Sequence, residues 1–92
     1  MARLSSPEIE AGISQLDGWR RQGDSIVCDL EFPGFTAAVA FVGRVAEAAE
    51  AADHHPDILV HDYRHVRLTL STHSAGGLTD ADLALARQLN AL

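Results

Sequence analysis

The sequence predicts an α+β fold of order αββαββα, with a four-stranded antiparallel sheet and helices packed on one face. Three observations carry that prediction. Apolar residues recur at helical spacing in three segments and alternate in the segments between them, so the repeat passes from helical to strand-like and back twice. Gly23-Asp24 separates two alternating runs by the two residues that a tight hairpin uses. No internal repeat, low-complexity tract or linker interrupts the 92 residues, a length that suits one domain over residues 1–92.

The first helix is signalled by Ser6-Pro7 followed by Glu8 and Glu10: a hydroxyl cap, proline at the first helical position, and acids near the positive end of the helix dipole. Ile9, Ile13 and Leu16 fall at i, i+4 and i+7 and give it one apolar stripe, and Asp17-Gly18 ends it. Strands follow at Trp19 to Gln22 and Ser25 to Phe32. In the second, Ile26, Cys28, Leu30 and Phe32 alternate with Ser25, Val27, Asp29 and Glu31, which predicts one buried face.

Pro33-Gly34 breaks the strand pattern, and from Phe35 to about Ala52 the period is helical. One stripe is Phe35, Val39, Val42, Ala46 and Ala49, and beside it lies a second, Phe41, Val45, Ala48 and Ala52. A helix this apolar either forms a subunit interface, with Val45 and Ala48 in the contact, or is wedged between neighbours of its own chain. His54-His55-Pro56 stops it, because the residue before a proline is driven out of the α region. Ile58 to Val60 reads as a short strand, Asp62-Tyr63-Arg64 as a connection and His65 to Thr72 as a strand. Val66, Leu68 and Leu70 face inward there, with His73 at the strand end on the other face. After the turn from Ser74 to Gly77, Thr79 caps a closing helix with acids in its first turn, a Leu78/Leu83 staple, and Leu85, Leu89 and Leu92 on its buried side.

Charge and composition exclude several classes of function. The formal net charge is -6 and no Lys/Arg cluster exists, so the electrostatic term that drives binding to a phosphate backbone is missing and no direct nucleic-acid partner is expected. No stretch is apolar enough for a secretory signal or a membrane span, so no membrane partner is expected. The single Cys28 fits a reducing compartment, and the chain reads as cytoplasmic.

Chemistry concentrates between Glu50 and Asp82. All five histidines, His54, His55, His61, His65 and His73, fall within twenty positions, with Glu50 and Asp53 before them and Asp82 after. Three readings compete. A metal site could recruit His54, His55, His73 and Asp82, but no ligand spacing arranges them in advance. General acid/base chemistry needs groups that titrate near neutrality, which histidine supplies, with the carboxylates fixing tautomer. The third reading leaves the histidines as surface or capping residues, the assignment given to His61 and His65. Asp82 stands third after a threonine cap and closes a capping box on that reading. Cys28 alternates onto the buried side of its strand, and no hydroxyl sits in a nucleophile elbow.

The same stretch resembles the pterin-4a-carbinolamine dehydratase family. The resemblance rests on an acid separated by three residues from a His-His-Pro, then an aromatic, a histidine and an aspartate: Glu50, His54-His55-Pro56, Tyr63, His73 and Asp82. The strings Ser71 to His73 and Gly77 to Thr79, the pair Gly18-Trp19 and the run Phe41 to Ala46 agree with it, so the likeness covers nearly the whole chain.

What the resemblance implies is an αββαββα fold and a cofactor-free dehydratase acting on 4a-hydroxytetrahydropterins. The product is a quinonoid dihydropterin, a step in tetrahydrobiopterin recycling. It implies His54, His55, His73 and Asp82 as the catalytic set, with His54 and His73 the acid/base pair and Asp82 supporting a histidine. Glu50, Asp53, Ser71 and Thr72 would surround the substrate, and no metal would be required. The family forms homodimers or homotetramers, which here would use the helix 35–52. Animal members also stabilise a transcription-factor dimer, so a non-catalytic interaction module on the same fold is the alternative. One departure stands out: animal members place arginine before the last aspartate, where this chain has Ala81.

Overall fold

A computed structural model describes residues 2–92. Its elements are α1 (Ser6–Ile13), β1 (Trp19–Gln22), β2 (Ser25–Glu31), α2 (Phe35–Ala52), β3 (Asp57–His61), β4 (His65–Leu70), a single 3-10 turn (His73–Ala75) and α3 (Asp80–Asn90). The expected α+β order is the observed one. The four strands form one antiparallel sheet in the order β1-β2-β4-β3.

Strand register decides where the core lies. Ile26, Cys28 and Leu30 of β2 stand opposite Leu70, Leu68 and Val66 of β4, so the aliphatic members of both strands share one face. That face packs on Ile9 of α1, Phe41 and Val45 of α2, and Leu83, Leu85, Ala86 and Leu89 of α3. The other sheet face carries no helix, and the polar members of the alternation line it. Val27 departs from the expected pattern: it lies on that open face and is nonetheless 2% exposed, because it forms the floor of a small depression walled by Gln22 and Arg67.

The helix ends explain how the site is aimed. In α1 the cap is Ser5 rather than Ser6: Ser5 and Glu8 exchange side-chain and backbone hydrogen bonds in a capping box, and Ser6 enters the helix. The bonds to Ser5 hold the Glu8 carboxyl below its ordinary pKa. In α2 the buried stripe is Ala38, Phe41, Val45 and Ala49, while Phe35 and Val39 of the other expected stripe are exposed. Val45, expected at an interface, belongs to the chain's own core.

Helix α2 is terminated by Asp53, not by the proline. Asp53 adopts the left-handed conformation (φ 50°, ψ 43°), and its N–H and that of His54 close onto the last turn. Aspartate tolerates this region better than most residues, at some cost in strain. The sharp exit separates the two histidines that follow: His54 turns inward, half-buried, and His55 outward, exposed.

Candidate active site

Helix α3 supplies the buried end of the site. Thr79 caps it and Asp82 closes the capping box, as the sequence predicted, yet Asp82 does more than cap. It is wholly buried, and one carboxylate oxygen, Oδ2, accepts the Thr79 N–H (2.9 Å) and the Thr72 hydroxyl (2.8 Å). The other, Oδ1, lies 2.5 Å from His54 Nε2. A charge this deep needs full hydrogen bonding, and no buried side-chain polar atom among the described residues lacks a partner.

Donor bookkeeping fixes the direction of this network. Thr72 has one hydroxyl proton, and it goes to Asp82, so in the 2.9 Å contact between the two threonine hydroxyls Thr79 is the donor. Thr79 Oγ1 in turn accepts the Ala81 N–H. With the Asp82 carboxylate the common acceptor, the His54 contact requires a donor, and Nε2–H supplies it. The Thr72 side chain lines the cavity, as expected of a residue beside the substrate, and its hydroxyl proton goes to Asp82.

His55 is paired differently. Its Nε2 meets Glu50 Oε2 one turn back on α2, with both side chains exposed. Glu50, expected beside the substrate, contacts His55 and is not among the residues that line the cavity. His73 sits in the 3-10 turn after β4, not at a strand end, because pairing stops at Leu70 and resumes only in the isolated Thr72–Gly77 bridge.

These pieces meet. Asp53, His54, His55, Ser71, Thr72, His73 and Ser74 line one open cavity of about 290 Å³. The end of α2 and the 3-10 turn thus bring three histidines to one bowl, with Asp82 behind His54. His61 and His65 stack on each other (5.3 Å between ring centroids) toward the opposite end of the β3-β4 hairpin, and Tyr63 lies at its tip. Among the described residues no group of three or more His, Cys, Asp and Glu is arranged to hold a metal ion. Cys28 is buried, and burial, with the Asp29 charge nearby, raises its thiol pKa and makes it a poor nucleophile.

Two features of the site were not legible in the sequence. Thr79 was read as a cap only, although its fully buried hydroxyl anchors the network, and Asp53 was read as a carboxylate partner rather than as the bend that separates the histidine pair. A threonine between Leu78 and an acidic first turn was the available signal for the first. The second had none beyond the wish of a chain to leave a helix before His-His-Pro.

A helix-backed antiparallel sheet with a histidine-lined bowl at one end defines a class of small α+β proteins, and comparison with known proteins gives its family. The family model described as pterin 4 alpha carbinolamine dehydratase matches residues 2–92, and the chain belongs to that family. Proteins of Thermomicrobium roseum and Nocardia farcinica that carry the family's name are each 52% identical over 89 residues. The match covers 97% of this chain and 95% and 93% of theirs. A crystal structure described as a transcriptional coactivator/pterin dehydratase from Brucella melitensis superposes with a TM-score of 0.90 at 36% identity, covering 97% of this chain and 96% of that one. A pterin dehydratase-like protein described as a RuBisCO assembly factor in the alpha-carboxysome gives 0.66 at 26% identity, covering 80% and 87%.

Proposed function

We propose that the chain is a cytoplasmic dehydratase that removes water from a 4a-hydroxytetrahydropterin by histidine acid/base catalysis. The single observation that carries this reading is the convergence of His54, His55 and His73 on one bowl, with His54 tied through Nε2 to the buried Asp82. Family membership supplies the substrate class.

The reaction breaks the C4a–O bond, forms the C4a–N5 double bond and releases the N5 proton. Neutral His54 accepts that proton on Nδ1, and the imidazolium so formed faces the Asp82 carboxylate, which stabilises it without itself taking the proton. His73 donates a proton to the departing hydroxyl, which leaves as water, and its exposure lets solvent restore it. His55, held by Glu50, and the Asp53 and Ser71 side chains then position the pterin. Two such proton-transfer groups, each worth roughly 10²–10⁴-fold, suffice for an elimination that already proceeds unaided.

Stopped-flow absorbance on a freshly generated 4a-hydroxytetrahydropterin tests this. Wild type should accelerate its decay, and His54→Ala should lose roughly 10²–10⁴-fold of that acceleration. Equal rates with wild type, His54→Ala and no protein would defeat the reading.

The exposed Phe35 and Val39 favour an oligomer through helix α2, as a homodimer or homotetramer. With Thr36 and Ala40 they line a shallow apolar depression of about 360 Å³. Val39→Glu should lower the mass measured by sedimentation equilibrium, and an unchanged mass would place the contact elsewhere. The same patch supports the second reading, a non-catalytic interaction module. On that reading both His54 and His73 could be lost without loss of function while Val39→Glu abolished it.

A further inference from the structure

Of the three histidines in the bowl, His73 is the one whose ring makes no hydrogen bond among the described residues; Asp82 holds the His54 ring and Glu50 the His55 ring. Its placement therefore rests on the backbone of the loop 72–77. That loop is closed from within. The Thr72 N–H donates to Gly77 O (2.9 Å) and the Gly77 N–H to Thr72 O (3.3 Å), while the Ala75 and Gly76 N–H groups return to Thr72 O and His73 O (3.0 and 3.1 Å).

A second set of contacts fastens the loop from outside, and it comes from the segment just before α1. Arg3 Nη1 donates to Gly76 O (3.2 Å), and the Leu4 N–H donates to Leu78 O (2.8 Å). Ser5, the next residue, caps α1, so the segment is anchored beyond the loop as well. The two glycines have different tasks. Gly76 takes the left-handed conformation (φ 71°) that turns the chain back. Gly77 does not; a Cβ added there would stand 2.6 Å from Arg3 Cδ and 3.1 Å from Arg3 Cγ, and its three nearest atoms would all be Arg3's. The Arg3 methylenes thus cover Gly77 and leave it buried, although the arginine itself is exposed. Arg20, Arg21, Arg64 and Arg67 form ion pairs with carboxylates, whereas the Arg3 guanidinium is spent on the loop carbonyl.

Resting on the dehydratase reading, we propose that Arg3 is a positioning residue for His73: it fastens the loop 72–77 from outside and so keeps the His73 ring in the bowl. Arg3 acts through the loop and not on the pterin. It is not among the residues that line the bowl, and it walls a separate cavity of about 180 Å³ with Arg21, Ser6 and Leu78. Proton donation needs the ring within hydrogen-bond reach of the leaving oxygen, so a loop that samples other positions slows turnover more than it weakens binding.

Stopped-flow kinetics on a 4a-hydroxytetrahydropterin tests this with three single variants and one double. Arg3→Ala should lower kcat roughly 2- to 10-fold, the worth of one hydrogen bond, with KM within about twofold of wild type. Gly77→Ala should do the same, because its methyl group displaces the Arg3 side chain, and adding it to Arg3→Ala should cost little more. Arg21→Ala removes two hydrogen bonds at the same cavity, to Gly23 O (2.9 Å) and Ser6 Oγ (3.1 Å), that do not involve the loop, and it should leave kcat unchanged. Amide hydrogen exchange gives a readout independent of turnover: Ala75, Gly76 and Gly77 should exchange faster in Arg3→Ala, while Thr79 and Asp82 do not. With a wild type that accelerates the reaction, unchanged kcat or unchanged loop exchange in Arg3→Ala would overturn the positioning role. Additive losses from Arg3→Ala and Gly77→Ala, or an equal loss from Arg21→Ala, would overturn it too. No acceleration by wild type would instead overturn the dehydratase reading, and the role of Arg3 in catalysis with it.

Discussion

Two histidine-carboxylate pairs stand on either side of the same helix exit, and they are built to opposite specifications. His54 and Asp82 come from elements 28 residues apart, with side chains 16% and 0% exposed. His55 and Glu50 are five residues apart, with side chains 58% and 75% exposed. The buried carboxylate accepts from two protein donors besides the histidine, so its orientation is overdetermined. The exposed one is fixed by nothing but its partner and is screened by water. The contrast separates a pair that sets a tautomer from a pair that can adjust to a ligand.

Replacing each carboxylate by its amide breaks the comparison most directly. Asp82→Asn should cost on the order of 10²-fold or more in kcat, because the amide can no longer be the common acceptor of His54, Thr72 and Thr79. It should also lower stability in urea unfolding by about 3 kcal/mol, since the donors around it are left buried without a full partner. Glu50→Gln should change kcat by no more than about threefold and stability by less than about 0.5 kcal/mol, with KM the more sensitive quantity. Equal losses from the two variants would abolish the distinction between them.

A smaller effect lies on the open sheet face, where Arg67, through its hydrogen bonds, holds the Asp29 carboxyl below the ordinary carboxylate range, with Arg20 adding to it. A carboxylate whose folded-state pKa is depressed contributes stability above its unfolded pKa of about 3.9 and loses it as pH falls through the folded value. Asp29→Asn should therefore be slightly less stable than wild type at pH 7, and the two unfolding curves should converge in acid below pH ~4. A gap that widens in acid would contradict the assignment.

How far this arrangement could be read from sequence varies with the kind of contact. Local signals were legible: the Gly23-Asp24 hairpin, the Thr79/Asp82 capping box and the alternation from Val66 to Leu70 all depend on residues near one another. Motif spacing pointed to the cavity members His54, His55 and His73. Periodicity failed on α2, where two adjacent apolar stripes fit a helix equally well and only tertiary packing selects Phe41 and Val45 for the core over Phe35 and Val39. Nor could spacing show that Thr72 gives its proton to Asp82, because that bond joins the segment after β4 to the first turn of α3. The Ser5/Ser6 shift is a smaller case: two adjacent hydroxyls can each cap, and the Glu8 reach-back selects the first.

The central claim is that Asp82 holds His54 with Nε2 protonated and Nδ1 left for the cavity. Long-range ¹H–¹⁵N correlation spectra of the histidine side chains, recorded at a pH where the rings are neutral, measure this directly. His54 should appear as a single Nε2–H tautomer, and the Asp82→Asn variant should lose that preference while His55 is unaffected. A His54 ring protonated on Nδ1, or a tautomer mixture in wild type, would contradict the account.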